Sequence, residues 1–169
     1  MTGRRHVAWI LMLAADAGLL AWGAMAALAP DRLPGPGGVP ILPAGYEGFT
    51  AGSWQELAHA SPRTAGYVTL LFRLYGAYIV AFGLLALAIT AVPFRHGERW
   101  AWWALLVGNT LAYGAAMTYD RIVAAIGPFE ISEYAGIIAV YVALGLTFRP
   151  DVIGGGSVYQ AHPTHIAPG

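Results

Sequence analysis

Six polar side chains stand inside otherwise apolar runs of this sequence: Asp16, Arg73, Asn109, Tyr113, Asp120 and Glu133. A charge placed in hydrocarbon is costly, so it is kept for pairing, for a ligand or for proton chemistry. The spacing narrows the choice. Asn109, Tyr113, Ala116 and Asp120 follow one another at four, three and four residues and share one face of a helix. Glu130, Glu133, Tyr134, Ile137 and Tyr141 share a face of another. These residues predict one buried polar cluster, with Arg73 as its cation and Asp120 and Glu133 as counter-ions. Asn109, Tyr113 and Asp16 would extend it inward. Such a cluster could form the polar end of a pocket for a quinone, sterol or isoprenoid, with the carboxyls available for acid–base work. Each residue also has a purely structural reading. Arg73 can be paired for stability alone, and Glu130 and Glu133 can complement a helix N-terminus. Asp120 can be an ordinary interfacial charge, and Asp16 can be protonated and bonded to a neighbouring helix.

Other chemistry is absent from the sequence. There is no cysteine, hence no disulfide, thiolate metal site or cysteine nucleophile. The histidines (His6, His59, His96, His162 and His165) fall outside the cores of the apolar runs, so axial ligation of a haem within a membrane helix is not expected. No phosphate-cradling glycine loop, nucleophile elbow or metalloprotease spacing occurs. The sequence predicts no metal, no catalytic residue and no obligate cofactor, with a bound lipid or quinone as the one small molecule it suggests.

The elements that must position the polar residues are membrane helices. The chain is 57% apolar and 11% charged, where a soluble domain carries about 25% charged residues. Its net charge is zero, which gives no reason to expect nucleic acid. Apolar runs predict helices over about 7–29, 62–92, 100–126 and 129–148, each near the roughly 20 residues that cross a bilayer. Ser61-Pro62 marks the start of the second, Pro93 its end, and Gly127-Pro128 the break before the fourth. A secretory signal peptide is the rival reading of the first, opposed by the carboxylate in its middle. The fold expected is all-α: an integral membrane four-helix bundle with a long outer loop carrying a short helix.

That loop, 30–60, holds five prolines and should be extended or turning. Ser53-Trp54-Gln55-Glu56 fits a capping box, so a short helix is expected over Trp54 to Ala60. Its apolar side chains, among them Tyr46, Phe49, Trp54 and Leu57, should pack down or dock a partner. Gly76 and Gly83 on the second helix, and Gly108, Ala112 and Ala116 on the third, provide faces for close helix contact. Residues 151–169 read as a flexible cytoplasmic tail. All nine basic residues are arginine. Arg73 apart, five fall on the side of the termini and three on the other, which puts both termini in the cytoplasm of a bacterial plasma membrane.

The stretch from Arg73-x-x-Gly76 through Gly83, with Pro93-Phe94-Arg95 and the Trp100, Trp102, Trp103 cluster, resembles small four-helix bacterial membrane proteins of the DoxX-like kind. The resemblance covers roughly Gly66 to Thr147. It implies a compact membrane bundle and, for some members, association with quinone-dependent redox complexes. The proline-rich outer loop departs from that pattern. Taken together, the sequence suggests an accessory or scaffolding subunit among other membrane proteins and lipids. The alternative is a lipophile-binding protein or enzyme.

Overall fold

The computed structural model describes residues 3–123 and 128–148, the side chains of 128–130 excepted. The expectations for Glu130, for 124–127 and for the tail from Arg149 lie outside the described residues. Among these residues the chain is all-helical, with six α-helices and no strand. They are α1 (Gly3–Leu28), α2 (Ile41–Thr50), α3 (Trp54–Ala60), α4 (Pro62–Ile89), α5 (Arg99–Val123) and α6 (Pro128–Thr147).

The four long helices share one core, built on Ala8 and Met12 of α1, Ala86 of α4, Leu105 and Tyr113 of α5, and Val140, Ala143 and Leu144 of α6, with Phe94 beside them. α1 is its centre and packs closely along α4 and α6. Glycine makes the α1–α4 approach possible. A Cβ on Gly76 would lie 2.5 Å from the Ala27 amide nitrogen, and one on Gly23 would lie 2.8 Å from Ile79 Cγ2. α5 leans on α6, while α4 and α5 barely touch. Their contact includes the Phe82 ring resting on Gly108. Trp102 Nε1 donates to the Leu144 carbonyl at 3.0 Å, and the hydroxyls of Thr110 and Tyr141 are 2.8 Å apart, so two side-chain bonds join α5 to α6.

α4 does not stop at Pro93. It continues through one wide turn, Thr90–Phe94, which contains that proline. A wide turn tolerates a residue without an N–H, because the ordinary hydrogen-bond ladder is already interrupted there. The chain then reverses at Gly97, whose φ of 80° is a left-handed conformation that glycine adopts without steric cost.

The 30–60 connection is more ordered than its prolines suggest. α3 forms over Trp54–Ala60 as its capping box predicts, with Ser53 Oγ accepting from the Glu56 amide at 3.4 Å. Residues 41–50, expected to be irregular, form α2 instead. Pro40 precedes that helix and Pro43 sits in its first turn, where an N–H has no intrahelical partner to lose. α2 lies against the end of α5: a Cβ on Gly45 would be 3.1 Å from the Tyr119 hydroxyl, and one on Gly48 would collide with the Val123 carbonyl. The loop therefore caps one end of the molecule. Arg5, Arg95 and Arg99 mark the opposite, basic end, where Arg5 Nη2 donates to the His96 carbonyl at 3.4 Å and the Arg95 guanidinium stacks 4.9 Å from the Trp9 ring.

Candidate functional site

The contacts between α1 and α4 fix the level of every polar residue. Gly76 faces Ala26 and Ala27, Gly23 faces Ile79 and Val80, and Gly83 faces Leu20. The helices run antiparallel, so each step back along α4 is a step forward along α1. Arg73, three residues before Gly76, is thus level with Ala29 and Pro30, just past the end of α1 at Leu28. The first turns of α4 pack on α3 instead, beyond α1. Arg73 belongs to the capped end rather than to the interior.

A second relation separates Arg73 from the carboxylates. Tyr75 lies within electrostatic reach of Glu133, Asp120 and Tyr119. Arg73 is two residues earlier, hence about 200° around the helix from Tyr75. Arg73 is exposed. No hydrogen bond or ion pair holds it among the described residues. The structure does not bring Arg73 into a buried cluster with Asp120 and Glu133. Two offsets account for it: Arg73 lies past the end of α1 along α4, and it is on the side of α4 away from Tyr75 and the carboxylates.

The remaining residues do come together, in two layers. At the capped end, Asp120 and Glu133 are half-buried and share Tyr75 as a neighbour, with Tyr119 under α2. Deeper in the bundle, Asp16 is 1% exposed, Asn109 1% and Thr90 0%. Asp16 is 13 residues into α1, roughly 20 Å along it. Asn109 and Tyr113 are 10 and 14 residues into α5, roughly 15–21 Å along, so the levels agree. Tyr113 connects the layers, within electrostatic reach of both Asp16 and Glu133. Its hydroxyl occupies the space over Gly136, where a Cβ would come within 2.8 Å of it.

The inner layer has polar valences that no described residue meets. Both carboxylate oxygens of Asp16, Thr90 Oγ1 and Asn109 Oδ1 are buried without a hydrogen bond. Thr90 stands beside the Asp16 carboxyl, yet the pair falls short of hydrogen-bond geometry. Asn109 Nδ2 donates to the Leu105 carbonyl at 2.9 Å, which leaves its oxygen as the free atom. An uncompensated buried polar group costs about 1–3 kcal/mol, so several in one layer call for an explanation, which a bound water, an ion or a proton would each supply. Thr90 was not singled out in the sequence. A threonine in an apolar run is common, and the wide turn that begins at it is seen only in the structure.

Of the docking residues in the loop, Tyr46 and Trp54 pack on each other edge-to-face, with ring centres 5.5 Å apart, and Glu47 Oε1 accepts from the Trp54 amide at 3.0 Å. Leu57 is half-buried and Phe49 is 66% exposed. On α6 the inward face is Glu133, Ile137, Val140 and Leu144; Tyr134 is exposed, and Tyr141, though exposed, reaches the Thr110 hydroxyl of α5. No group of three metal-ligating His, Cys, Asp or Glu side chains occurs among the described residues. A small cavity of about 30 Å³ between Arg5, Phe94, Glu98 and Trp102 lies at the basic end and has room for only a water or two. No protein-family model, curated protein or solved structure matches this chain.

Proposed function

We propose that the chain is an integral membrane four-helix bundle that serves as an accessory or scaffolding subunit of a larger membrane assembly. Two helices, Gly3–Leu28 and Pro62–Phe94, are long and apolar enough to cross a bilayer. Only 22% of each apolar window is buried in the molecule, where the core helix of a soluble protein would be mostly buried. Val7, Ile10, Leu71, Leu84, Leu85, Leu111 and Ile138 are all exposed. A surface of this kind suits lipid. The α1–α4 register supports the placement: Leu74 to Phe94 is roughly 31 Å long, close to the hydrocarbon thickness of about 30 Å. The capped end is then outside and the basic end cytoplasmic, following the arginine bias. The likeness to DoxX-like proteins belongs to the same reading, and Gly76 and Gly83 have a packing role that such a bundle needs.

The observation that carries the subunit reading is an open face of small residues. Ala14, Ala17, Gly18 and Ala21 form the outward side of α1, and all are exposed. A Cβ on Gly18 would meet nothing within 4 Å, whereas Gly23 on the opposite side is filled by α4. Small residues at such spacing are what close helix contact in a membrane uses. The second reading, a lipophile binder, is favoured by the slack between α4 and α5 beside Tyr75, Tyr119, Asp120 and Glu133. Extraction in mild detergent followed by native mass spectrometry tests both. Copurifying membrane proteins at fixed stoichiometry are expected. A lone chain carrying one lipid would favour the second reading, and a lone chain carrying neither would overturn the first.

A further inference from the structure

The geometry points to a binding site for a hard monovalent cation between α1, α4 and α5, formed by the Asp16 carboxylate, Thr90 Oγ1 and Asn109 Oδ1. It stands independently of the subunit reading. All three side chains are at least nine-tenths buried, and all four of these oxygens lack a hydrogen bond among the described residues. They belong to one contiguous core. Asp16 is one turn from Met12, Thr90 one turn from Ala86, and Asn109 one turn from both Leu105 and Tyr113, and those four apolar neighbours are members of the same packed cluster.

The chemistry of the donor set selects the ligand. Every free atom is an oxygen, and oxygen is the donor preferred by hard ions. The charge of the set is −1. One monovalent cation makes it neutral, which is the condition for burying charge in an apolar core. A divalent ion would leave a net positive charge there, and the described residues provide no second carboxylate at this level. Nor can the protein supply the charge itself. No arginine, lysine or histidine occurs in 7–28, 74–94, 100–119 or 131–147. The nearest bases along α4 are Arg73 and Arg95, at opposite ends of the bundle.

A protonated Asp16 bonded to Thr90 is the competing arrangement, and it would leave Asn109 Oδ1 and the second Asp16 oxygen unmet. The two side chains are neighbours, but no hydrogen bond forms. The backbone is a second, separate sign. The wide turn Thr90–Phe94 begins at the site, and Pro93 removes one N–H from the ladder there. Irregular helix at membrane depth is tolerated where it lines a cavity or a bound ion.

The test uses the full chain purified in detergent, with sodium as the probe. Thermal unfolding is followed in NaCl and in choline chloride at equal ionic strength and pH. Sodium should raise the midpoint, with a shift that grows as the logarithm of its concentration above the dissociation constant and reaches about 5 °C. Asp16→Asn keeps the shape and removes the charge, so it should lose the sodium-dependent rise. Thr90→Val and Asn109→Leu should weaken the response, so that its onset moves to about tenfold higher sodium or more for a lost ligand oxygen. If Asp16→Asn does not fold, the two neutral variants carry the test alone. Equal midpoints of the wild type in sodium and choline would overturn the proposal. So would a sodium response that persists unchanged in Asp16→Asn, or in both neutral variants.

Discussion

The molecule carries two polar layers of similar residue type and very different setting. At the capped end, Asp120, Glu133 and Tyr119 lie near the ends of their helices with Tyr75 of α4 beside them, half-buried or exposed, near the helical cap formed by α2. In the middle, Asp16, Thr90 and Asn109 are sealed in the core with oxygens that meet no donor among the described residues. Both contain carboxylates in helices that read as apolar. Sequence pattern alone treats them as one cluster, because it counts residues from each helix end. The α1–α4 contacts separate them, because Gly76 against Ala26 and Gly83 against Leu20 set the real levels. A charge near the rim of a bundle can be hydrated. A charge in the middle must be matched, so it is the better marker of function.

The sharpest way to break this comparison is to ask which exposed positions on α4 reach water. Arg73 is exposed, and Leu85 is 61% exposed. The chain has no cysteine, so single cysteines can be introduced without background. In intact vesicles, Arg73→Cys should react with a membrane-impermeant maleimide and Leu85→Cys should not. This all-or-none contrast separates two positions that a soluble protein would expose equally. Comparable labelling of both would remove the membrane placement of α4.

The register itself should break next. Gly76→Ala puts a Cβ 2.5 Å from a backbone nitrogen of α1, where no side chain can move aside. The expected loss is about 2–3 kcal/mol in detergent unfolding. Gly66→Ala is the same change ten residues earlier, in open space. It should be neutral or stabilise by up to about 1 kcal/mol, since alanine favours helix over glycine. Equal effects at the two sites would show that α1 does not meet α4 at Gly76, and the two-layer assignment would fall with it.

Much of this was legible in the sequence. Helical class, the long helices within a few residues and the capped start of α3 follow from apolar runs, proline positions and Ser53 with Glu56. The face shared by Asn109, Tyr113, Ala116 and Asp120 also stands, because helical spacing is local information, and those four are the less exposed residues of that stretch of α5. Three features were not legible. α2 was hidden by prolines and glycines that normally break helices. The continuation of α4 past Pro93 depends on a wide turn with no sequence signature of its own. The position of Arg73 depends on how far α4 projects beyond α1, and that offset is a property of two helices, not of either one.

At the capped end, the short helix α3 offers a smaller test. Ser53→Ala removes an acceptor that is 3.4 Å from the Glu56 amide. The expected cost is about 0.5–1 kcal/mol, at the low end for a capping residue because the bond is long. The effect should be local: faster amide exchange from Trp54 to Ala60, beginning at Glu56, with the core amides of α1 and α4 unchanged. Faster exchange throughout the bundle would mean that the cap and the inner layer unfold as one unit, against their separation.

The smallest effect expected is the most decisive for Arg73. A buried arginine paired with Asp120 or Glu133 would cost about 3–5 kcal/mol to remove, because an uncompensated carboxylate would remain. An exposed arginine at the rim of the bundle belongs to the surface class, where substitutions fall within about 0.5 kcal/mol. Arg73→Leu should therefore leave the unfolding midpoint in detergent almost unchanged. The same substitution should shift the depth of α4 in a bilayer, since a leucine no longer favours the water boundary. Labelling of a cysteine at Tyr67, one to two turns outward, reports that shift. A loss of more than about 2 kcal/mol would show that Arg73 does find a counter-ion within the chain. A silent substitution leaves Asp16 as the charge in the bundle that most needs an explanation.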